Sequence, residues 1–285
     1  MTPSGKLRAA RARELLAEEA QKPAALMRLD RAALLIGAED EAYRNVSVEQ
    51  YLSQMDELAE EARSFISASQ SGETEAFNYF LIELKRFAGN QLDYYDPRNS
   101  FLNEVMDRRL GIPITLSVIY IEVGRRAGLE VEGIALPGHF IIRVREPGSR
   151  DELLVDPFHG VMLTREDCQD RLDTVHDGRV ILSDVIMRAA TTPEILVRML
   201  RNLKAVYTRA NLYKQAIACM ERIMLLTPDN ADEHRDRGTL LMRLERFEEA
   251  AREMEFYLQT VPGAPDITDV REQLNNIRRQ QAISN

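Results

Sequence analysis

Between residues 200 and 262 the chain repeats itself with a period of 34, and this constrains its fold more than any other feature. Leu200, Leu203, Lys204, Tyr207, Ala216, Met220 and Pro228 stand in register with His234, Arg237, Gly238, Leu241, Ala250, Met254 and Pro262. The paired positions lie 34 apart, as in 216 to 250 and 228 to 262. A unit of that length is one helical hairpin: two amphipathic helices, a small residue where they approach, and a proline where the second one ends. A single hairpin cannot bury its apolar face, so copies stack and a further helix must cover the last one. Residues 269–281 are the expected cap.

The start of the chain is also helical in pattern. Residues 1–28, rich in Ala, Glu and Arg, predict a flexible or partner-dependent helix, and residues 24–36 predict a packed one. Over 48–66, Val48, Tyr51, Leu52, Met55, Leu58, Ala59, Ala62 and Phe65 recur at spacings of 3 and 4, which marks one face of an amphipathic helix. A polar loop at 67–73 separates it from a helix over 74–87 that points Phe77, Phe80, Leu81 and Leu84 inward.

The texture changes after residue 93. Asp-Pro and Asn-Ser turn chemistry makes 93–100 a loop, and a short helix over 101–109 follows, with Ser100 as its N-cap and Gly111 as its break. Residues 112–127 are apolar on nearly all sides, as in a buried helix, and Gly128 ends them. The period then switches to 2: residues 131–135, 139–144 and 152–156 read as strands, separated by Pro137–Gly138 and Pro147–Gly148 turns. A short strand at 161–163 and a helix at 165–172 complete an α+β domain with an antiparallel sheet.

Charge and cysteine content narrow the function. A net charge of −9 argues against nucleic-acid binding, which needs a basic face to displace counterions. The longest apolar stretch, 112–123, is too short to span a bilayer, and the N-terminus lacks the apolar core of a secretory signal. Two cysteines, Cys168 and Cys219, build neither a disulfide framework nor a CxxC metal pattern. The expectation is a cytoplasmic protein without cofactor or metal.

Three positions in the middle bear on chemistry. Gly111-Ile112-Pro113 opens the buried helix, His139 lies on a following strand and Asp156 on the next. A nucleophile at such a helix start gains from the helix dipole, a histidine serves as its base, and a carboxylate fixes the tautomer. The arrangement resembles the transglutaminase-like domains of the papain-type superfamily, which carry Gly-x-Cys at the helix start, a helix of about fifteen residues, a His-containing strand and a closing Asp-Pro. Counting back fifteen from Gly128 reaches 113, so Pro113 stands where the family has its cysteine. Proline offers neither a nucleophile nor a backbone N–H.

The fit to one branch is closer. Asp93-Tyr-Tyr-Asp-Pro-Arg-Asn-Ser-Phe-Leu-Asn-Glu104, Arg109-Leu-Gly-Ile-Pro-Ile-Thr-Leu-Ser-Val-Ile-Tyr-Ile-Glu122 and Leu136-Pro-Gly-His-Phe140 resemble the SirB-type family of bacterial proteins. Its members join a transglutaminase-like domain to C-terminal tetratricopeptide repeats, the repeat type whose template the 34-residue pattern also resembles. The resemblance implies a helical N-terminal part on a papain/transglutaminase-like core over 29–192, then an all-α region of two repeats and a capping helix over 193–285.

The residues leave two functions open. The first is a non-catalytic interaction or scaffold factor that binds a protein partner through 193–285 and retains a cleft without its cysteine. The second is an amide hydrolase or acyl transferase in which His139 and Asp156 serve a hydroxyl or a water. Ser117, one turn beyond Pro113 on the same face, is the hydroxyl that could line the cleft, with Thr115 beside it. His139 is either a core histidine bonded to Asp156 or part of a ligand pocket, while His159 and His176 read as isolated loop residues. Tyr95, Asp96, Arg98, Asn99, Asn103, Arg108 and Glu122 form either an ion-pair network fixing the loop or a ligand-binding rim.

Overall fold

A computed structural model describes residues 3–40, 46–145, 148 and 152–284, in two compact units, Met1–Met199 and Leu200–Asn285. The division falls inside a helix, a few residues beyond the Pro193 expected from sequence.

In the first unit, α1 (Pro3–Ala20) packs on α2 (Leu29–Glu39), burying Ala12 and Leu16 and pairing Arg13 with Glu39 at 2.6 Å. Residues 3–20 are therefore an integral helix of this unit. The single helix expected over 24–36 is instead a 3-10 turn, Ala24–Leu26, then a break at the extended Met27 and Arg28, then α2. Next come α3 (Val48–Ala68) and α4 (Glu73–Tyr79), the latter running on into a π turn at Phe80–Leu84. Ser47 caps α3 by accepting the Gln50 N–H at 3.3 Å.

α5 (Leu102–Arg108) starts later than the Ser100 cap would require. Ser100 ends a separate 3-10 turn, Pro97–Ser100, which Asp96 caps by accepting the Arg98 N–H at 2.9 Å. Arg109, in the left-handed region with φ 61°, closes α5. Gly111 then belongs to a two-residue strand, β2 (Leu110–Gly111), parallel to β1 (Ala88–Gly89).

α6 (Pro113–Ala127) is the core of the unit, buried from Ile114 to Gly124. Proline suits its first turn because φ is preset and the missing N–H would lack an intrahelical partner anyway. Each large aliphatic side chain removed from water here contributes about 2 kcal/mol. α3 packs against α6, as does an antiparallel meander of β3 (Glu130–Ile134), β4 (Ile141–Arg145), β5 (Glu152–Asp156) and β6 (Val161–Leu163). Apart from Gly148, the turn expected at Pro147–Gly148 lies outside the described residues. α7 (Arg165–His176) follows β6 and runs four residues past the expected end.

The second unit carries the repeats. α8 (Thr192–Arg209), which crosses the division, is followed by α9 (Tyr213–Leu226), α10 (Ala231–Arg243) packs on α9 and on α11 (Phe247–Thr260), and α12 (Ile267–Ser284) packs on α11. Leu203, Tyr207, Ala216, Met220, Leu241, Ala250 and Met254 are all buried, as their slots require. Gly238 brings α10 onto α11: a Cβ there would lie 3.0 Å from Met254 and 3.3 Å from the Ala250 carbonyl oxygen. Arg237, in a leucine slot, keeps its place by pairing with Glu221 of α9 at 2.8 Å and with Glu253 of α11. An ion-pair bridge thus stands where an apolar contact is usual.

Candidate functional site

The start of α6 and the end of β5 are joined by the small β1–β2 pair. Asn90 N–H donates to the Gly111 carbonyl at 2.9 Å and Gly89 N–H to the Phe158 carbonyl at 3.0 Å. Gly89 has no room for a Cβ, which would sit 2.5 Å from both the ring and the carbonyl oxygen of Phe158. This contact ties the turn after Asp156 to the strand pair that leads into Pro113.

Asp156 ends β5 fully buried. One carboxylate oxygen accepts the N–H groups of Phe158 at 2.9 Å and His159 at 3.2 Å, closing an Asx-type turn. The other accepts His159 Nδ1 at 2.7 Å and Arg171 Nη1 at 2.5 Å. Burial works to raise the Asp156 pKa, but the hydrogen bond from His159 and the charge of Arg171 outweigh it and hold it below the ordinary range.

His139 makes no bond to that carboxylate. It sits in the turn ahead of β4, where its N–H donates to the Leu136 carbonyl at 3.0 Å, and its Nε2 faces Arg171 Nη1 at 3.2 Å. The ladder pairs Ile142 with Val155, so Asp156 falls opposite residue 141 and His139 lies two residues beyond. The direct imidazole–carboxylate pair expected between His139 and Asp156 is formed by His159, and Arg171 separates His139 from the carboxylate. Burial, then the positive charge of Arg171, pushes the His139 pKa below its usual 6.5.

That shift makes stability pH-dependent. Because the unfolded chain takes up the imidazole proton first, acidification costs stability from about pH 6.5 down to the folded pKa. Asp156, with its depressed pKa, contributes stability above the ordinary 3.8 and loses it as pH falls through the folded value. We expect the urea midpoint to drop as pH falls from about 7 to 5, and His139→Gln to flatten that limb. A wild-type profile level across the interval would show that the ring is freely solvated.

The hydroxyls at the start of α6 and the thiol of Cys168 are each engaged elsewhere. Ser117 is buried and donates to the Pro113 carbonyl at 2.7 Å, and Thr115 donates to the Asn99 carbonyl at 2.7 Å. Cys168 lies in an apolar cluster with Ile134, Leu136, Ile141, Leu154 and Met187, and burial raises its pKa, which keeps it a thiol. Tyr120, two turns into α6, donates to Asn78 at 2.9 Å, and Asn78 in turn donates to the Gly160 carbonyl at 3.1 Å. Among the described residues no group of three or more His, Cys, Asp or Glu could hold a metal.

The polar positions picked out as a possible rim divide into three places. Asp96 pairs with Arg98 at 2.7 Å and Arg108 at 3.3 Å, while Asn99 donates to the Asp93 carbonyl at 2.7 Å and accepts from Asn90 at 3.0 Å. These bonds fix the loop. Tyr95 is exposed, edge-on to Tyr94 with centroids 5.4 Å apart. Asn103 faces elsewhere: its Oδ1 lies 2.5 Å from where a Cβ on Gly37 would stand. Glu122 belongs to a third group, bonded to Arg126 at 2.5 Å beside Asp30.

Three residues escaped the sequence reading. His159 and Arg171 hold Asp156, and Arg198 of α8 donates to the Leu136 and His139 carbonyls at 3.2 and 3.0 Å. An aspartate three residues ahead of a histidine, with a proline between, is a turn signal that could have found His159. Nothing local points to the two arginines, which reach the site from separate helices.

Residues 49–201 match the profile of the transglutaminase-like superfamily, and residues 203–275 match that of the tetratricopeptide repeat. Over 212 residues the chain is 38% identical to a UPF0162 protein of Xylella fastidiosa, covering 72% of this chain and 74% of that one. A UPF0162 protein of Vibrio cholerae is 26% identical over 74% of this chain and 77% of its own. F-box only protein 21 of Mus musculus shares 35% identity over 107 residues, which are 35% of this chain and 17% of that one. No described helix is long and apolar enough to cross a membrane.

Proposed function

The chain belongs to the UPF0162 family, with a transglutaminase-like domain followed by tetratricopeptide repeats, and from that premise we propose that it is a non-catalytic protein-interaction factor of the cytoplasm. The observation that carries the reading is the helix start. Pro113 stands where the resemblance to transglutaminase-like domains puts the nucleophile, and the hydroxyls of Thr115 and Ser117 are bonded to carbonyl groups of the backbone. Without a thiol or a free hydroxyl beside it, the imidazole has no side-chain nucleophile with which to form an acyl-enzyme. The repeats supply the binding element, a stacked helical surface suited to a partner's helix or extended tail.

Two measurements test this with the full-length chain. Turnover of peptide and acyl-ester substrates should stay at the same background in wild type and His139→Ala; product formation abolished by that substitution would restore the enzyme reading. Partner capture should be competed by an excess of residues 192–285. Undiminished capture would mean that the repeats are not the binding element.

A further inference from the structure

Arg198 carries a charge that no described side chain neutralises. Two of its N–H groups go to the backbone carbonyls of Leu136 and His139, and its guanidinium lies over the Phe140 ring, 5.6 Å from the centroid. The polar side chains that act on it are the phenol of Tyr94 and the imidazole of His139, and no carboxylate pairs with it among the described residues. Across His139, Arg171 pairs with Asp156. Arg171 thus has carboxylates to offset its charge, whereas the half-buried guanidinium of Arg198 has no ion pair among the described residues, in a chain whose net charge is −9. A half-buried charge of this kind favours any anion that can reach it.

Beside the charge lies an apolar ledge. Tyr94 packs edge-on to Phe158 at 5.9 Å and to Tyr95 at 5.4 Å, and both tyrosines are exposed. We propose that this surface binds a carboxylate at the end of an apolar, peptide-like ligand, with Arg198 as its charge partner and the rings of Tyr94, Tyr95 and Phe158 receiving the apolar part. Guanidinium geometry suits the two oxygens of a carboxylate, and aromatic rings beside it suit an apolar side chain more than a free inorganic ion. The inference rests on reading the surroundings of His139 as a binding surface without turnover.

The test is calorimetric titration of the full-length chain with N-acetylphenylalanine, its uncharged amide and inorganic phosphate. The acid should saturate one site, with the amide and phosphate each about tenfold or more weaker. Arg198→Gln should weaken the acid by about tenfold and leave the amide unchanged; if that variant does not fold, Arg198→Lys should keep the preference for acid over amide. Equal affinity for acid and amide, phosphate binding as tightly as the acid, or no saturation by the acid would each overturn the proposal. Hydrolysis of the amide, seen by mass spectrometry, would instead overturn the non-catalytic reading, and the acid titration would still decide the binding.

Discussion

Asp156→Ala is expected to cost the first unit about 3 kcal/mol, because it removes a buried acceptor of four hydrogen bonds at once. Two are the N–H groups of Phe158 and His159, which shape the turn; two are the side chains of His159 and Arg171. With the carboxylate gone, the mostly buried Arg171 is left beside His139 without its ion-pair partner, and Asp167, with which it forms no ion pair, still offsets part of its charge. Asp156→Asn preserves the turn and should lose less, since an amide oxygen still accepts the backbone donors. Urea unfolding followed by circular dichroism measures both. A loss under about 1 kcal/mol for the alanine variant would show that the turn holds without its carboxylate.

Arg126→Ala should be comparably damaging for a different reason. Its guanidinium holds Glu122 at 2.5 Å, Asp56 at 2.8 Å and Asp30, and the first and last of these carboxylates are largely buried. Burial, then the charge of Asp30, raises the Glu122 pKa. Burial would raise that of Asp30 too, but the hydrogen bonds from Arg28 and Arg126 hold it down. Without Arg126 two buried carboxylates face each other, with Arg28 paired to Asp30 and Arg125 acting on Glu122 without an ion pair, a loss of about 3 kcal/mol. Two signatures separate this from lost packing: the deficit should shrink as pH falls through the carboxylate range, and adding Glu122→Gln should restore part of it. A deficit independent of pH would assign the role to the aliphatic stem.

Much of the architecture was legible along the chain because it is encoded in spacing. The 34-residue period located every helix of the repeats, and the change from period 3.6 to period 2 after Gly128 located the sheet. Helix boundaries were less legible. Ser100 has the chemistry of a cap, yet Asp96 caps first and creates a separate turn. Residues 1–28 looked polar enough to stand alone, but burial of Ala12 and Leu16 against α2 overrides their weak amphipathic pattern.

The candidate site was legible in part. Order, spacing and the family resemblance picked out Pro113, His139 and Asp156 as candidates, and the structure brings His139 and Asp156 to a shared neighbour, Arg171. The partners of the carboxylate were not legible. His159 read as an isolated loop residue, and Glu122 and Asn103 were grouped with Asp96 although they face other elements.

By itself, then, the sequence determined the order of the helical and extended regions, the 34-residue helical repeat over 200–262, and that position 113 carries no nucleophilic side chain. Each of these follows from local chemistry: side-chain periodicity, the fixed φ of proline, the absence of sulfur. Only the tertiary structure decided that His159 and not His139 holds Asp156, and that Arg171 and Arg198 converge there from α7 and α8. Those outcomes depend on strand register and on where long, flexible side chains end, and a guanidinium several bonds from its Cα leaves no periodic trace in the chain.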